Sequence, residues 1–343
     1  MPDRHRLYIA LISVHGLIRG RDPELGRDPD TGGQVRYVLE LARALAEHPQ
    51  VERVDLITRQ VVGVSVDPQY SEPSEPLSEK ARIVRIPCGP RRYLRKEVLW
   101  PHLPELADGA LQHFREVGRV PDVIHSHYAD AGSVALSLTR LLDTLLVHTG
   151  HSLGRVKQQR LLEQGHDPDE LERRYHFSRR IGAEEGVLAA ADLVVASTHQ
   201  EVEEQYGLYQ TPARSRMLVI PPGVSLERFR PPRATDRRPP VADAVERFLT
   251  HPKRPMVVAV QRPDERKNLG TLIRAYGESE SLRRLANLVL LIGARDDLSS
   301  LQPAQRHVLE EMLRLVDLYD LYGSVAYPKR HEPEDVADLF RLA

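Results

Sequence analysis

Five stretches of the sequence combine residue types that bind anions or handle protons. Asp30-Thr31-Gly32-Gly33-Gln34 pairs two glycines at the start of a helical pattern. Backbone amides there can approach a ligand unshielded by a Cβ, and a helix N-terminus suits phosphate. The preceding loop, His15–Pro29, is long for a strand-to-helix connection, as functional loops often are. His125-Ser126-His127-Tyr128-Ala129-Asp130 and His148-Thr149-Gly150-His151-Ser152-Leu153-Gly154 each close an apolar run. His125 and His127 share one face if both lie in a strand. Lys157, Arg179 and Arg180 follow as a set of cations. Arg262-Pro263-Asp264-Glu265-Arg266-Lys267-Asn268 is the fifth stretch, where a guanidinium and an ammonium could clamp a diphosphate. Each has a plainer reading: a tight glycine turn, satisfied structural histidines, solvated surface cations, and a polar turn capped by Asn268. Polar clusters at two consecutive strand ends are harder to read that way.

Short apolar runs alternate with helical patterns, which predicts a doubly wound α/β sheet with ligands outside the carboxyl ends of its strands. The predicted strands are Leu7–Val14, Val54–Thr58, Arg82–Ile86, Val123–His127, Leu145–Thr149, Leu193–Ser197 and Met217–Ile220. The helix Gln34–Ala46 carries Val35, Val38, Leu39, Ala42 and Leu45 at helical spacing. Residues 1–228 form the expected first domain and 229–252 a linker, because Arg230–Pro240 is rich in Pro and Arg. Residues 253–343 form a second α/β domain, with strands Pro255–Val260, Leu288–Ile292 and Ser324–Tyr327. Its helices lie near Thr271–Gly277, at Gln302–Leu318 and from Pro333 onward. About three strands are fewer than the usual ~5–6, so this domain is expected to be incomplete. The two domains are expected to face each other across a cleft that takes a phosphorylated ligand and a diphosphate-bearing one.

The composition excludes several other classes. A formal net charge of −1 gives no global drive towards nucleic acid or anionic membrane. Cys88 is the only cysteine, which fits a reducing compartment and a cytoplasmic location. Leu7–Val14 is too short for a membrane span, and no small-residue cleavage site follows it.

Longer motifs carry a resemblance. They are Ser13-Val14-His15-Gly16-Leu17-Ile18-Arg19-Gly20, Glu24-Leu25-Gly26-Arg27-Asp28, Asp30–Gln34, Arg95-Lys96-Glu97 with Leu99-Trp100-Pro101, and His127–Gly132. Thr149–Gly154, Arg262-Pro263-Asp264, Lys267-Asn268 and Tyr322–Lys329 complete them. In this order, over nearly the whole chain, the sequence resembles the sucrose-phosphate synthase family. The resemblance implies a retaining glycosyltransferase of two Rossmann-like domains (the GT-B type) that moves glucose from UDP-glucose to fructose 6-phosphate. The product would be sucrose 6-phosphate, and a sucrose-phosphate phosphatase is an implied partner. It further implies acceptor contacts from Gly33, Gln34, Lys96, Tyr128, Lys157 and Arg180. Donor contacts would come from Gly33, His151, Arg262 and Lys267. His151, Arg262 and Lys267 would serve the transfer itself, His151 by positioning and the two cations by stabilising charge on the leaving diphosphate. No metal or other cofactor is implied. Gln261 stands where the family usually has a smaller residue, and the family's Glu-rich donor motif is absent, so this stretch of chain is expected to be inactive by itself.

Other readings are a related hexosyltransferase such as mannosylfructose-phosphate synthase, and a non-catalytic sugar-phosphate-binding fragment. Sucrose synthase fits less well, because Lys157 and the Gly150–Gly154 turn match phosphate users better. A metal-dependent hydrolase built on His125, His127, Asp130, His148 and His151 is the rival of a different class.

Overall fold

The computed structural model describes residues 6–24, 28, 30–64, 66–210, 214–293 and 295–343. The motif residues Leu25, Gly26 and Arg27 lie outside the described residues. The chain divides into two compact units, Met1–Pro222 and Gly223–Ala343.

The first unit is built on eight strands: β1 (Leu7–Ile12), β2 (Val51–Arg59), β3 (Ser74–Pro76), β4 (Ala81–Ile86), β5 (Val123–His127), β6 (Leu145–Thr149), β7 (Leu193–Ala196) and β8 (Met217–Val219). Its helices are α1 (Gly33–Glu47), α2 (Leu103–Val117), α3 (Ala129–Leu142), α4 (Gly154–Glu163), α5 (Pro168–Tyr175) and α6 (Phe177–Ala190). The sheet order is β3-β4-β2-β1-β5-β6-β7-β8. Every pairing is parallel except β3 with β4. The seven predicted strands are all present, two of them, β5 and β6, with the predicted bounds. β3 was not anticipated: three residues with a central glutamate and a terminal proline carry no apolar run to read.

Strand β1 shows how the sheet is covered. Ile9 and Leu11 face α1, packing with Val35, Val38, Leu39 and Ala42. Tyr8, Ala10 and Ile12 face the other way, into a core that includes Leu106, Ala110, Val134 and Leu138 of α2 and α3. Alternate residues of one strand serve opposite layers, so a fully buried parallel strand reads as a continuous apolar run. Each fully buried Val, Leu or Ile side chain among these contributes roughly 1.5–3 kcal/mol. The chain steps from β1 to β2 on one side and later places β5 on the other side of β1. Ligands gather at this switch point in open α/β sheets.

The second unit has a parallel sheet of β9 (Met256–Val260), β10 (Asn287–Leu291) and β11 (Val325–Ala326), in the order β11-β10-β9. With it go α7 (Pro240–Glu246), α8 (Leu269–Glu278), α9 (Glu280–Leu285), α10 (Pro303–Leu318) and α11 (Pro333–Leu342). Helices α8 and α10 cover one face through Ile273, Leu309 and Met312. Helices α7 and α11 cover the other through Val241, Val245 and Leu339. The expected linker 229–252 therefore needs correction. Its Pro/Arg-rich start masks an apolar repeat, Val241, Val245 and Leu249, which packs against Val289 and Leu291 of the sheet. Among the described residues no helix is long and apolar enough to cross a membrane.

Candidate functional site

The loops leaving β1 and β5 meet at the switch point. His15, beyond β1, and Asp130, in the first turn of α3, are joined Nδ1 to Oδ2 at 2.8 Å, and both are buried. A carboxylate in a first helical turn also complements the helix dipole. Asp28 braces the loop before α1: it accepts the backbone N–H of Asp30 at 2.8 Å and of Thr31 at 2.9 Å, and the Tyr93 hydroxyl at 2.8 Å. The Thr31 hydroxyl donates to Asp28 at 2.8 Å. The loop thus delivers Gly32 as the N-cap of α1 with no side chain capping it. A Cβ built at Gly33 meets nothing within 4 Å, so packing does not require glycine there. Gln34 donates from Nε2 to Ser13 Oγ at 3.1 Å and to the His127 carbonyl at 3.4 Å, tying α1 to the strand ends.

Four histidines line the ends of β5 and β6. His125 and His127 stack on the same face, as their spacing predicts, with ring centroids 4.2 Å apart. His125 meets the Thr149 hydroxyl at 2.8 Å, and His148 meets the Ser126 hydroxyl at 2.9 Å. His127 Nδ1 lies 3.0 Å from His151 Nε2. Tyr37 of α1 stands edge-on to both rings of that last pair. Burial in a wall that holds several imidazoles disfavours the charged forms. His125 and His151 are pushed down to about 3 and His148 to about 4, and His127 also falls well below its ordinary value. All four are neutral imidazoles at physiological pH. Among the described residues no group of three or more His, Cys, Asp or Glu side chains is arranged to hold a metal ion. The four rings are instead bonded to hydroxyls and to one another.

Beside this wall is a narrow recess lined by Lys96, Glu97, Trp100, Tyr128, Lys157, Tyr175 and Arg180. Tyr128 is its floor. It occupies the N-cap of α3 at φ +80°, ψ 170°, a region essentially reserved for glycine. Its ring packs edge-on against His15 at 4.5 Å, and the Arg180 guanidinium lies 4.6 Å over it. Arg180 is itself fixed at several points: Nε donates to Glu184 Oε1 at 3.0 Å and a terminal nitrogen donates to the Ser152 carbonyl at 2.6 Å. Glu184 also accepts the Gly154 N–H, at 3.0 Å, and the Tyr209 hydroxyl. A Cβ at Gly154 would sit 2.7 Å from that carboxylate, so glycine lets α4 start this close to α6. Burial pushes the Glu184 carboxyl up, and the neighbouring Arg180 opposes that push. Lys96 pairs with Asp30 through both its ammonium and its backbone N–H. Burial would raise the Asp30 carboxyl, but the Lys96 charge, the two Lys96 hydrogen bonds and nearby His15 together outweigh burial and hold it below its ordinary value. Lys157 Nζ sits 3.8 Å over the Tyr175 ring.

The structure thus brings Lys96, Tyr128, Lys157 and Arg180 together in one recess. Through His127, it also links Gln34 to His151 at the same strand ends. Arg179, expected with the same cations, instead lines a separate groove between α2, α3 and α6. Arg262 and Lys267 lie in the second unit, exposed after β9, and neither forms an ion pair among the described residues. Between them the Asp264 side chain caps the turn, accepting the Arg266 backbone N–H at 3.1 Å. Asn268 holds the N-cap of α8 in the left-handed region, without the expected side-chain cap; its amide oxygen accepts the Thr271 hydroxyl at 2.7 Å. Sequence reasoning missed Glu184 and the pairing of Asp30 with Lys96. Glu184 stands four residues after Arg180 on one helix, a spacing that brings side chains together. The Asp30–Lys96 pair spans 66 residues and has no local signal.

A largely parallel sheet with a braced glycine loop and a cation-lined recess along its carboxyl edge places the chain in the class of open α/β proteins that gather ligands at strand ends. Comparison with known proteins narrows this class. Residues 31–228 match the family described as Glycosyltransferase Family 4, and the chain belongs to that family. It is 46% identical over 98% of its length to a sucrose-phosphate synthase of Zea mays, and 44% identical over 98% to sucrose-phosphate synthase 4 of Arabidopsis thaliana. It spans 38% of the length of each of these relatives. Among solved structures it is similar to a sucrose-phosphate synthase from Thermosynechococcus elongatus, with TM-score 0.69 and 27% identity over 98% of this chain and 74% of that one. The catalytic domain of starch synthase IV from Arabidopsis thaliana shares the fold at TM-score 0.60 and 15% identity, over 97% of this chain and 76% of that one.

Proposed function

We propose that the protein containing this chain transfers a hexose, with retention, from a nucleotide sugar to fructose 6-phosphate. With UDP-glucose as donor the product is sucrose 6-phosphate. The observation that carries this reading is the recess that Lys96, Lys157 and Arg180 line together with Tyr128. Three cations beside an aromatic floor suit a sugar phosphate: charge-assisted bonds take the phosphate and the ring takes an apolar sugar face.

In this reading the bond between the donor's C1 and its diphosphate oxygen breaks, and a new bond forms between C1 and an acceptor hydroxyl oxygen. The hydroxyl proton passes to the leaving diphosphate on the same face. Arg262 and Lys267 of the second unit stabilise the negative charge that grows on that diphosphate. Gly33 leaves the first backbone amides of α1 open to substrate, and Gln34 steadies the start of the helix. His151 positions the transferred sugar. No tightly bound metal is called for. The product is a phosphate ester, so a phosphatase such as sucrose-phosphate phosphatase is the enzyme class that would consume it.

Calorimetry with fructose 6-phosphate and with fructose tests the reading. The phosphorylated sugar is expected to bind at least tenfold more tightly. Equal affinities would remove the basis for assigning the recess to a phosphate.

A further inference from the structure

His127 is fully buried, and its Nε2 has no hydrogen-bond partner among the described residues. Its other nitrogen, Nδ1, lies 3.0 Å from His151 Nε2. Two neutral imidazoles in this contact share one proton-bearing nitrogen, so two arrangements exist. If His151 donates, His127 must carry its proton on Nε2, leaving a buried N–H with no acceptor. If His127 donates, its Nε2 is a bare lone pair, and the proton of His151 sits on Nδ1. An orphaned buried N–H is the rarer defect in native proteins; an under-used acceptor is better tolerated. The stacked ring of His125 is bonded to Thr149 and offers His127 no relief.

We propose that His127 is a positioning residue that donates from Nδ1 to His151 Nε2 and fixes His151 as the Nδ1–H tautomer. His151 then has no lone pair to spare. Its Nε2 accepts from His127, and its Nδ1–H, which has no partner among the described residues, is left to donate to a ligand oxygen. The ring can orient a sugar hydroxyl or another oxygen acceptor, but it cannot take a proton from one. This assignment of His151 as donor only rests on the reading above for its place beside the transferred sugar. The tautomer itself does not depend on that reading. The hydrogen bond made by one ring nitrogen of a histidine commonly sets its tautomer in this way.

The test uses nitrogen-15 NMR of the histidine rings in the whole protein that contains this chain, with turnover measured alongside. In the unaltered protein, His151 should show a protonated Nδ1 and a bare Nε2. His127→Asn places an amide N–H near the position of the lost Nδ1–H and should preserve that pattern, with turnover within about threefold of the unaltered protein. His127→Asp replaces the donor with an acceptor and should reverse the pattern, putting the proton on His151 Nε2. Turnover should then fall at least tenfold, with KM for fructose 6-phosphate changed by less than about twofold. A protonated Nε2 on His151 in the unaltered protein overturns the proposal, whatever the activity. So does an unchanged His151 tautomer in His127→Asp. If the tautomers behave as expected but the sugar-transfer assay does not respond to them, the tautomer assignment stands and the placement of His151 beside the sugar fails.

Discussion

Replacing Arg180 with alanine removes more than a phosphate contact. Arg180 is 4% exposed and its ion-pair partner Glu184 is 1% exposed. The substitution deletes the 3.0 Å contact to Glu184, the 2.6 Å bond to the Ser152 carbonyl and the stack on Tyr128. It leaves a carboxylate buried with only the Gly154 N–H and the Tyr209 hydroxyl for company. Orphaning one member of a buried ion pair costs about 3–5 kcal/mol. For a domain of this size that corresponds to a fall in Tm of roughly 6–20 °C. A loss of ligand affinity in Arg180→Ala would therefore mix phosphate recognition with partial unfolding. The double variant Arg180→Met, Glu184→Gln separates them. It leaves no buried charge, and the amide oxygen of Gln can still accept the Gly154 N–H, so its stability should stay within about 2 kcal/mol of the unaltered chain. Removing one charge-assisted contact costs about 1.5–3 kcal/mol, so fructose 6-phosphate should bind the double variant roughly 10- to 150-fold more weakly. Fructose binding should not weaken. Urea unfolding gives the stabilities and calorimetry the affinities. Equal stability of Arg180→Ala and the double variant would show that Glu184 is not held by Arg180. Parallel loss of both sugars would show that Arg180 does not read the phosphate.

Gly33→Val should leave Tm within about 2 °C, because nothing lies within 4 Å of the new Cβ, yet abolish sugar-phosphate binding; normal binding would reduce the glycine pair to a turn. Lys96→Met should destabilise the chain at neutral pH by removing the charge that holds the Asp30 carboxyl down. Because that carboxyl is depressed in the folded state, its contribution is present at neutral pH and is lost as pH falls through the folded value. The stability gap between Lys96→Met and the unaltered chain should close towards acid, and a gap independent of pH would refute the pairing. The histidine wall acts in the opposite sense to a paired histidine. His125, His148 and His151 titrate at about 3, 4 and 3 in the folded chain but at the ordinary value of 6.5 when unfolded. Between those values the unfolded state binds more protons, so stability should fall as pH drops below 6.5, by up to about 1.4 kcal/mol per pH unit for each histidine. Urea midpoints that stay constant from pH 7 to pH 5 would contradict the burial of the wall.

How much of this was legible from residues alone depended on whether a feature left a local trace. The parallel strands did, most plainly β1, whose burial on both faces favours the unbroken run Leu7–Ile12. The edge strand Ser74–Pro76 did not, since it is antiparallel, short and polar. Helix α7 was hidden by its neighbours: prolines and arginines before Pro240 read as linker, although Val241, Val245 and Leu249 repeat at helical spacing. In the site, motif positions at strand ends gave the histidines and glycines, Lys157 and Arg180 stood out as cations in the sequence, and the resemblance added Lys96. The acidic partners of those cations stayed unread, because an ion pair such as Lys96 with Asp30 is created by tertiary folding and not by spacing.

Those acidic partners bear on how the recess could discriminate between ligands. Arg180 is held by Glu184, Lys96 by Asp30, and Lys157 lies on the face of Tyr175. These long side chains are already held by protein partners, so an incoming phosphate would not have to freeze them, and the usual ordering cost of about 0.5–1.5 kcal/mol per side chain would be largely met by folding. The same carboxylates weaken the net positive field, which limits the affinity of a bare anion. If the proposed function holds, what remains would favour a phosphate attached to a sugar that can also cover Tyr128. An unphosphorylated sugar in the recess would take water away from Lys96 and Arg180 and give no anion in return. A polar site that loses its partner in this way rejects the shorter analogue more strongly than an apolar pocket rejects a missing methylene. The built-in acids would thus make the recess a selector of sugar phosphates over both free sugars and inorganic anions.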